Sequence, residues 1–243
     1  MYLKGSGTLR LQMSNGVDKS IDEEITLTSE WKRHNVTGTF NSTSVATVYL
    51  VIDDYNGKTA TEYYIWGAQL EVGSYATSYI PTSGGTVTRV QETYTKTGIS
   101  NLINSEEGVL FAEIAALSDD GTFRSISLSN GTATNRVSIR YNTTSNAISA
   151  YLYQGSTPIL AYNNVVADVK DFHKVAIKYK SGDVAFWVDG VEVATSTSTF
   201  TFLPLTDLSF VRGDSVRFFY GKVKQLQVFK TALSDSELAA LTS

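Results

Sequence analysis

Two arginines and two tyrosines in neighbouring predicted strands have the residue types and the spacing of a carbohydrate site. Arg136 and Arg140 alternate with apolar residues, and Tyr151 and Tyr153 do so a little further along the chain. Successive side chains of a strand point to opposite faces, so these four share one non-core face if the two strands are adjacent. Aromatic rings contact the apolar faces of sugars, and arginine binds carboxylates through two hydrogen bonds.

This pattern predicts a binding site for an anionic polysaccharide. Trp187 is the fifth candidate for carbohydrate binding, and its position between Phe186 and Val188 leaves open whether it lines the same face or covers the sheet edge. The structural alternative is that tyrosine and arginine occupy this face only because they suit exposed strand positions.

The sequence predicts no catalytic site. Glycoside hydrolysis uses two carboxylates that flank the sugar bond. The Glu-x-Asp-x-x-Glu spacing of laminarinase-like enzymes does not occur, and the consecutive acidic residues 22–24 cannot all face one pocket from a strand. His173 and His34 are the two histidines, and we expect both to be structural. We therefore expect a protein that is not an enzyme.

No metal or cofactor is predicted, with calcium as the remaining option. The absence of cysteine excludes disulfides, thiol catalysis and cysteine zinc sites. Calcium needs six or more oxygen ligands. Residues 119–121, Asp183 and Asp189 could supply carboxylates, but each also fits a turn. The tripeptide 212–214, Arg-Gly-Asp, is of the integrin-binding type, and we interpret it as a turn.

Composition describes a folded protein without a nucleic-acid or membrane partner. The chain has 243 residues, of which 42% are hydrophobic and 18% charged, and a net charge of −4. An acidic chain lacks the basic face that phosphates require. No apolar run reaches the roughly 18 residues that span a bilayer, and the N-terminus shows no secretory signal. An extracellular role would then be reached by another route, such as cell lysis.

The elements that must position these side chains are β-strands. Apolar residues alternate with serine, threonine and charged residues at 125–128, 136–141 and 147–153, with Gly, Asn and Asp turns between such runs. Several short strands at close spacing predict an all-β protein built of jelly-roll or β-sandwich units. One short C-terminal helix is predicted, because Ser234 and Glu237 form a capping box before an apolar run.

The chain divides into two predicted units. Residues 74–89 are rich in Ser, Thr, Gly and Pro, which is typical of a linker. We therefore place the first unit at 1–73 and the second at 90–243.

The first unit resembles a carbohydrate-binding-module-like jelly roll that is common in tail-fibre and structural proteins of tailed bacteriophages. The resemblance lies in residues 64–71 (YIWGAQLE) and 73–82 (GSYATSYIPT), with further matches at 4–7 and 25–33. It covers only the second half of that module. Within it, Trp66 either forms a platform with Tyr64 and Trp31 or packs against Tyr75 and Tyr79, and we favour packing.

The second unit resembles a laminin-G or concanavalin-A-like jelly roll. The matching residues are 172–177 (FHKVAI), 186–191 (FWVDGV), 219–223 (FYGKV) and 232–238 (ALSDSEL). These motifs are specific for fold and weak for function, because the fold hosts lectins, glycosidases and inert spacers.

The first unit is predicted to be incomplete. A jelly roll of about eight strands needs over 100 residues, whereas about 75 precede the linker, enough for five or six strands. Either the chain is a fragment, or another subunit closes the open sheet edge, which would otherwise promote aggregation. Because phage fibres are commonly trimers, the resemblance implies a homotrimer assembled through the first unit.

The combined expectation is a non-enzymatic component of a phage tail fibre or virion that recognises polysaccharide on the host surface. Its location would be the virion, outside the cell. Two alternatives stay open. One is an accessory carbohydrate-binding module of a polysaccharide-degrading enzyme, and the other is a purely structural virion decoration protein.

Overall fold

The computed structural model describes residues 1–41, 47–53, 57–90 and 93–243. It is nearly all-β, as the alternation predicts. Its contacts separate two compact units, Met1–Val90 and Gln91–Ser243. The division falls directly after the stretch 74–89 that the sequence predicts as a linker.

The first unit is a small β-sandwich. Its described residues form two three-stranded antiparallel sheets, with strand orders β4-β1-β6 and β3-β2-β5. Leu3, Leu9 and Leu11 are fully buried between the sheets. The strands are β1 (Tyr2–Gly5), β2 (Thr8–Ser14), β3 (Lys19–Thr26), β4 (Lys32–Arg33), β5 (Tyr49–Asp53) and β6 (Tyr63–Trp66).

Trp66 has a structural role in the first unit. Its ring packs between Tyr2 and Tyr79, with ring centroids 5.0 and 4.9 Å away. The predicted contact with Tyr79 is confirmed. The tilted geometry is a favourable arrangement for paired aromatic rings. This contact packs Tyr79, which lies within the predicted linker, against strand β6.

Two polar residues of the same motif hold the following loop. The Gln69 Oε1 atom accepts a hydrogen bond from the Ile80 amide at 2.9 Å. The Glu71 carboxylate accepts bonds of 2.6 Å from both the amide and the hydroxyl of Thr77. The motif is therefore explained by packing and hydrogen bonding, and residues 77–80 belong structurally to the first unit.

The second unit is a two-sheet antiparallel sandwich. Within residues 93–243 one sheet has six strands in the order β12-β11-β10-β9-β16-β7, and the other has five in the order β15-β14-β13-β8-β17. The elements are β7 (Thr95–Lys96), β8 (Glu107–Ala116), β9 (Arg124–Ser129), β10 (Asn135–Tyr141), β11 (Ala147–Gln154), β12 (Thr157–Val165), β13 (His173–Lys180), β14 (Val184–Val188), β15 (Val191–Ser196), β16 (Asp207–Ser209), β17 (Gly221–Phe229) and α1 (Asp235–Thr242).

The core of the second unit lies between these sheets and follows the predicted alternation. Val137 and Ile139 on β10 and Ile148 and Leu152 on β11 are fully buried against residues of the five-stranded sheet, such as Ile177. Apolar burial of this kind is worth about 25 cal/mol per Å² removed from water. The intervening side chains of β10 and β11 must therefore point to the outer face.

Helix α1 covers the outer face of the five-stranded sheet. The predicted capping box is confirmed, since Ser234 and Glu237 bond each other's backbone amides. Leu238 is fully buried against Phe111 and Ala176. Lys178 donates to Asp235 at 3.1 Å at the start of the helix. Among the residues that the structure describes, no helix is both long and apolar enough to cross a membrane.

His173 begins β13 and is held from two sides. Its Nδ1 atom lies 2.6 Å from an Asp189 carboxylate oxygen, and its Nε2 atom lies 3.0 Å from the Asp168 carbonyl. Both partners are acceptors, so both ring nitrogens donate in the protonated imidazolium form. Burial disfavours that form, but the hydrogen bonds to Asp189 and Asp168 outweigh it and raise the pKa of His173.

This pair makes stability depend on pH. The pKa of His173 is higher in the folded protein than in the unfolded chain. The protonated pair therefore stabilises the fold fully below the ordinary histidine pKa of about 6.5, and this stabilisation is lost as the pH rises through the folded pKa. We expect the melting temperature of the wild type to fall above about pH 6.5 more steeply than that of His173→Gln. Thermal melts followed by circular dichroism between pH 5 and 9 measure this, and parallel profiles for the two proteins would contradict it.

Candidate functional site

The candidate site lies on the outer face of the six-stranded sheet. Strands β10 and β11 are adjacent and antiparallel, with Arg136 opposite Tyr153 and Ser138 opposite Tyr151. Residues directly opposite each other in such a pair point to the same face. The structure therefore brings together the four candidates Arg136, Arg140, Tyr151 and Tyr153.

Each of these arginines packs on its own tyrosine ring. The Arg136 Cζ atom lies 4.5 Å from the ring centroid of Tyr153, and the Arg140 Cζ atom lies 3.3 Å from that of Tyr151. The two tyrosine rings are nearly parallel, with centroids 6.3 Å apart. One face of each ring is thus covered by a guanidinium group. The tyrosine rings therefore hold the arginines in place. The arginines, and not the covered ring faces, are the groups that can contact a ligand.

Both guanidinium groups are unusually buried for surface residues. Arg136 is 6% exposed and Arg140 8% exposed. Neither Nε atom has a hydrogen-bond partner among the described residues. Burial, followed by repulsion from Arg212, lowers the pKa of Arg136 to about 10, and burial also lowers the pKa of Arg140. A buried cation with an unused donor is costly, and an anion bound there would offset that cost.

Small side chains form the floor below the arginines and tyrosines. Five serines on the outward positions of β9, β10 and β11 have at most 1% of their surface exposed: Ser125, Ser127, Ser129, Ser138 and Ser149. Their hydroxyls lie in the same layer as the arginine stems because they alternate with the core residues of those strands. The Ser125 hydroxyl has no partner among the described residues.

Sequence reasoning missed a third arginine and its ring. The Arg217 Cζ atom lies 4.2 Å from the ring centroid of Phe123, and the same ring lies 5.4 Å from the Arg140 Cζ atom. We use the name arginine face for Arg136, Arg140 and Arg217 together with the three aromatic rings on which they pack: Tyr153, Tyr151 and Phe123. No sequence pattern identifies Arg217, because it lies in a loop that meets Phe123 only in the folded chain.

The loop that presents Arg217 is a tight hairpin spanning residues 210–219. The Phe219 amide donates to the Phe210 carbonyl at 2.8 Å, and Arg212 forms an isolated antiparallel bridge with Val216. The Ser125 amide donates to the Arg217 carbonyl at 3.0 Å. This last bond fixes the hairpin alongside β9, beside the outer face.

The Arg-Gly-Asp tripeptide is the turn of this hairpin, as predicted. Arg212 and Asp214 form two side-chain hydrogen bonds with each other, one of them 2.6 Å long. That pairing lowers the pKa of Asp214. A side chain at Gly213 would place its Cβ atom 2.2 Å from the Thr132 carbonyl oxygen, so only glycine fits. The charged groups of the tripeptide therefore bind each other.

Trp187 is not part of the arginine face, which corrects the prediction that grouped it with the other four residues. It lies on β14 of the five-stranded sheet, is 7% exposed and packs with Leu238 beneath helix α1. Its indole nitrogen has no partner among the described residues. The physical reason is strand order, since β14 pairs with β13 and β15 and not with β10 or β11.

Trp187 is thus expected to affect stability and not binding. Replacing it with alanine leaves a cavity beneath the helix and should cost about 3–5 kcal/mol of unfolding free energy. Chemical denaturation measures this loss, and Trp187→Phe, which keeps most of the buried volume, is the matched control. A Trp187→Ala protein with unchanged stability would contradict the assignment.

The aspartates considered for calcium bind groups of the protein. Asp119 accepts a 3.0 Å bond from the Asn146 amide, and Asp120 pairs with Arg124. Asp183 pairs with Lys178 at 2.8 Å, while Asp189 bonds His173. In the described residues no group of three or more His, Cys, Asp or Glu side chains comes together as a metal site.

The first unit contains a cleft of about 90 Å³ that His34 lines together with Arg33, Glu71 and Tyr79. Burial and the neighbouring charge of Lys32 lower the pKa of His34. The Glu71 carboxylate is engaged by Thr77. Tyr79 of the 77–80 loop lines this cleft, and the structural role of His34 stays a prediction.

Comparisons with known proteins agree with this architecture. The model of the concanavalin A-like lectin/glucanases superfamily matches residues 93–239. No curated protein matches the chain. Among solved structures, the CBM40 module of the Ruminococcus gnavus IT-sialidase, bound to α2,3-sialyllactose, aligns at 16% identity over 63% of this chain and 97% of the module, with a TM-score of 0.50. A second structure of that module aligns at 18% identity with the same coverage and TM-score. At these identities the likeness concerns the fold.

Proposed function

The chain belongs to the concanavalin A-like lectin/glucanases superfamily, and on that premise we propose that its second unit binds acidic carbohydrate without catalysis. The observation that supports this most directly is the pair of guanidinium groups on the outer face of the six-stranded sheet. Arg136 and Arg140 are more than nine-tenths buried, and their Nε atoms lack partners among the described residues. A carboxylate bound at the exposed edges of these guanidinium groups would offset the cost of burying their charge.

The chemistry of the face suits an acidic sugar better than a neutral one. Guanidinium groups that pack on aromatic rings are restricted in their motion, so they bind a planar carboxylate with a smaller further loss of entropy. The fold likeness is consistent with this, because the Ruminococcus gnavus module was solved with sialyllactose, whose sialic acid carries a carboxylate.

Electrostatics at the face disfavours a hydrolytic role. Glycoside hydrolysis needs one carboxyl group that stays protonated to act as a general acid. Asp214, the carboxylate next to the arginines, is ion-paired with Arg212, and its pKa is lowered. A carboxyl group with a lowered pKa is ionised at neutral pH and cannot donate a proton to a leaving group.

The proposal predicts that Arg140→Lys weakens binding of acidic glycans. Lysine keeps the charge but loses the planar group that stacks on Tyr151 and bonds a carboxylate twice, so we expect about a tenfold loss of affinity for sialyllactose or another acidic ligand found on a glycan array. Calorimetry measures it.

Lys222→Gln is the matched control, because this exposed residue lies on β17 of the other sheet. Its affinity should equal that of the wild type. Melting temperatures of both variants separate a binding defect from a folding defect. An Arg140→Lys protein that is fully folded and binds as tightly as the wild type would refute the assigned site.

We further propose that the protein is a component of a phage tail fibre or virion that recognises host-surface polysaccharide, outside the cell. Support for this comes from the motif of residues 64–82, and the acidic-glycan face supplies a matching activity. An accessory module of a polysaccharide-degrading enzyme is the second candidate, which the fold likeness to a sialidase module favours. Acidic polysaccharide in the capsule of a host bacterium fits the first role, and the polymer that such an enzyme cleaves fits the second.

Trimerisation through the first unit is the assembly part of this proposal. Strand β6 is the edge of its sheet. Ile65 on β6 lies opposite the fully buried Leu3, yet it is 45% exposed. Tyr64 and Trp66 on the same strand are half exposed. An edge strand with exposed apolar residues readily pairs with another chain.

Light scattering on a sizing column tests the assembly. We expect a mass about three times the 26.5 kDa of one chain, consistent with a closed symmetric oligomer. Ile65→Lys should shift the protein to a monomer, because a charge on the edge blocks pairing. Val191→Lys, at an exposed apolar position on strand β15 of the second unit, is the control and should keep the trimer. A monomeric wild type would contradict this part of the proposal.

A further inference from the structure

We propose that the arginine face binds a linear polysaccharide with a carboxylate on successive sugar residues, and that Arg136, Arg140 and Arg217 form separate subsites for those carboxylates. This inference depends on the proposed function and specifies its ligand. A single acidic sugar at the end of a glycan is the simpler alternative, and four features of the face favour the extended ligand.

The first feature is the length of the row. Arg136 and Arg140 are four residues apart on one strand, so their Cα atoms lie about 13 Å apart at the usual strand rise. The register of β10 and β11 orders the side chains along the face as Arg136 with Tyr153, then Tyr151 with Arg140. Phe123 and Arg217 continue the row beyond Arg140. The rings of Tyr153 and Tyr151, on which two of the guanidinium groups pack, have centroids 6.3 Å apart, and Arg217 lies beyond them, so the row extends past the width of one pyranose ring.

The second feature is that each guanidinium group has its own nearest ring. A pocket for a terminal sugar directs its polar groups toward one point. Here Arg136 is nearest to Tyr153, Arg140 to Tyr151 and Arg217 to Phe123. The face therefore presents a series of fixed cationic groups, which matches a ligand with a series of anionic groups.

The third feature is an excess of positive charge. Four arginines lie at this face when Arg212 is included. Burial is the main cause of the lowered pKa values of Arg136 and Arg217, and repulsion from Arg212 is the second cause. Asp214 is committed to Arg212. Asp207 lies across from Ser129 on the neighbouring strand β16. Two carboxylates thus face four guanidinium groups in this part of the described structure, so more than one ligand carboxylate can be accommodated.

The fourth feature is the strained backbone that presents Arg217. Ser215 and Arg217 have φ angles of 61° and 62°, in the left-handed region that disfavours side chains. Glycine would relieve this strain, yet an arginine stands at 217 and packs on Phe123. Strain of this kind persists where the side chain has a function. Binding of one carboxylate at the end of the row is a function that accounts for it.

The test is a length series of acidic oligosaccharides measured by calorimetry on the full chain. We use two series, oligogalacturonate and α2,8-linked oligosialic acid, each with one, two, four and six sugar residues. The two series differ in sugar backbone but carry the same charge per residue. The methyl ester of the galacturonate hexamer has the same backbone without charge. We expect the tetramer of at least one series to bind at least tenfold more tightly than its monomer, with esterification abolishing the gain.

Variants of the terminal subsite sharpen the test. Arg217→Gln and Arg217→Gly should each weaken tetramer binding at least fivefold and weaken monomer binding by a smaller factor, whereas Lys222→Gln changes neither. Arg217→Gly adopts the left-handed backbone conformation without strain, so it remains informative if the glutamine variant folds poorly.

The outcomes separate this inference from the proposed function. Equal affinity for monomer and tetramer would overturn the extended site and leave a single acidic-sugar site intact. Binding of neutral glycans on an array, with none in either acidic series, would overturn the carboxylate subsites and leave carbohydrate binding in place. A protein that binds no glycan at all would overturn both.

Discussion

The antiparallel pairing of β10 with β11 is the constraint on which the candidate site depends. It sets Arg136 opposite Tyr153 and places Arg140 within 3.3 Å of the centroid of Tyr151. A slip of β11 by one residue would turn Tyr151 and Tyr153 toward the core and bring the buried Ile148 and Leu152 to the surface. The core therefore fixes the register, and the register builds the site.

The arginine face illustrates how a sheet can hold charge without a counterion. Guanidinium groups are weakly hydrated and stack well on aromatic rings, so rings recover part of the free energy lost on burial. They do not bond the buried Nε atoms of Arg136 and Arg140, which remain without partners among the described residues. The lowered pKa of Arg136 reflects the free-energy cost of burying its charge that the rings do not recover. A carboxylate bound by these guanidinium groups would offset this cost, which is why we propose acidic glycans as the ligand.

The two outer faces of the second unit differ in charge. Helix α1 covers the five-stranded sheet, where Leu238 and Trp187 are buried and Lys178 is paired with both Asp183 and Asp235. The outer face of the six-stranded sheet instead has arginines in excess over carboxylates, with the 210–219 hairpin beside it. This difference is why we propose the second face, and not the first, for recognition.

The sequence by itself determined the fold class, the alternation of core and outward residues and the capped helix, because these follow from side-chain periods and local hydrogen bonds. It also proposed Arg136, Arg140 and their tyrosines, subject to strand adjacency. Only the tertiary structure decided that β10 and β11 are neighbours, that Trp187 lies under the helix and that Arg217 reaches Phe123. Those facts depend on strand order and on contacts between distant segments, which no local pattern encodes.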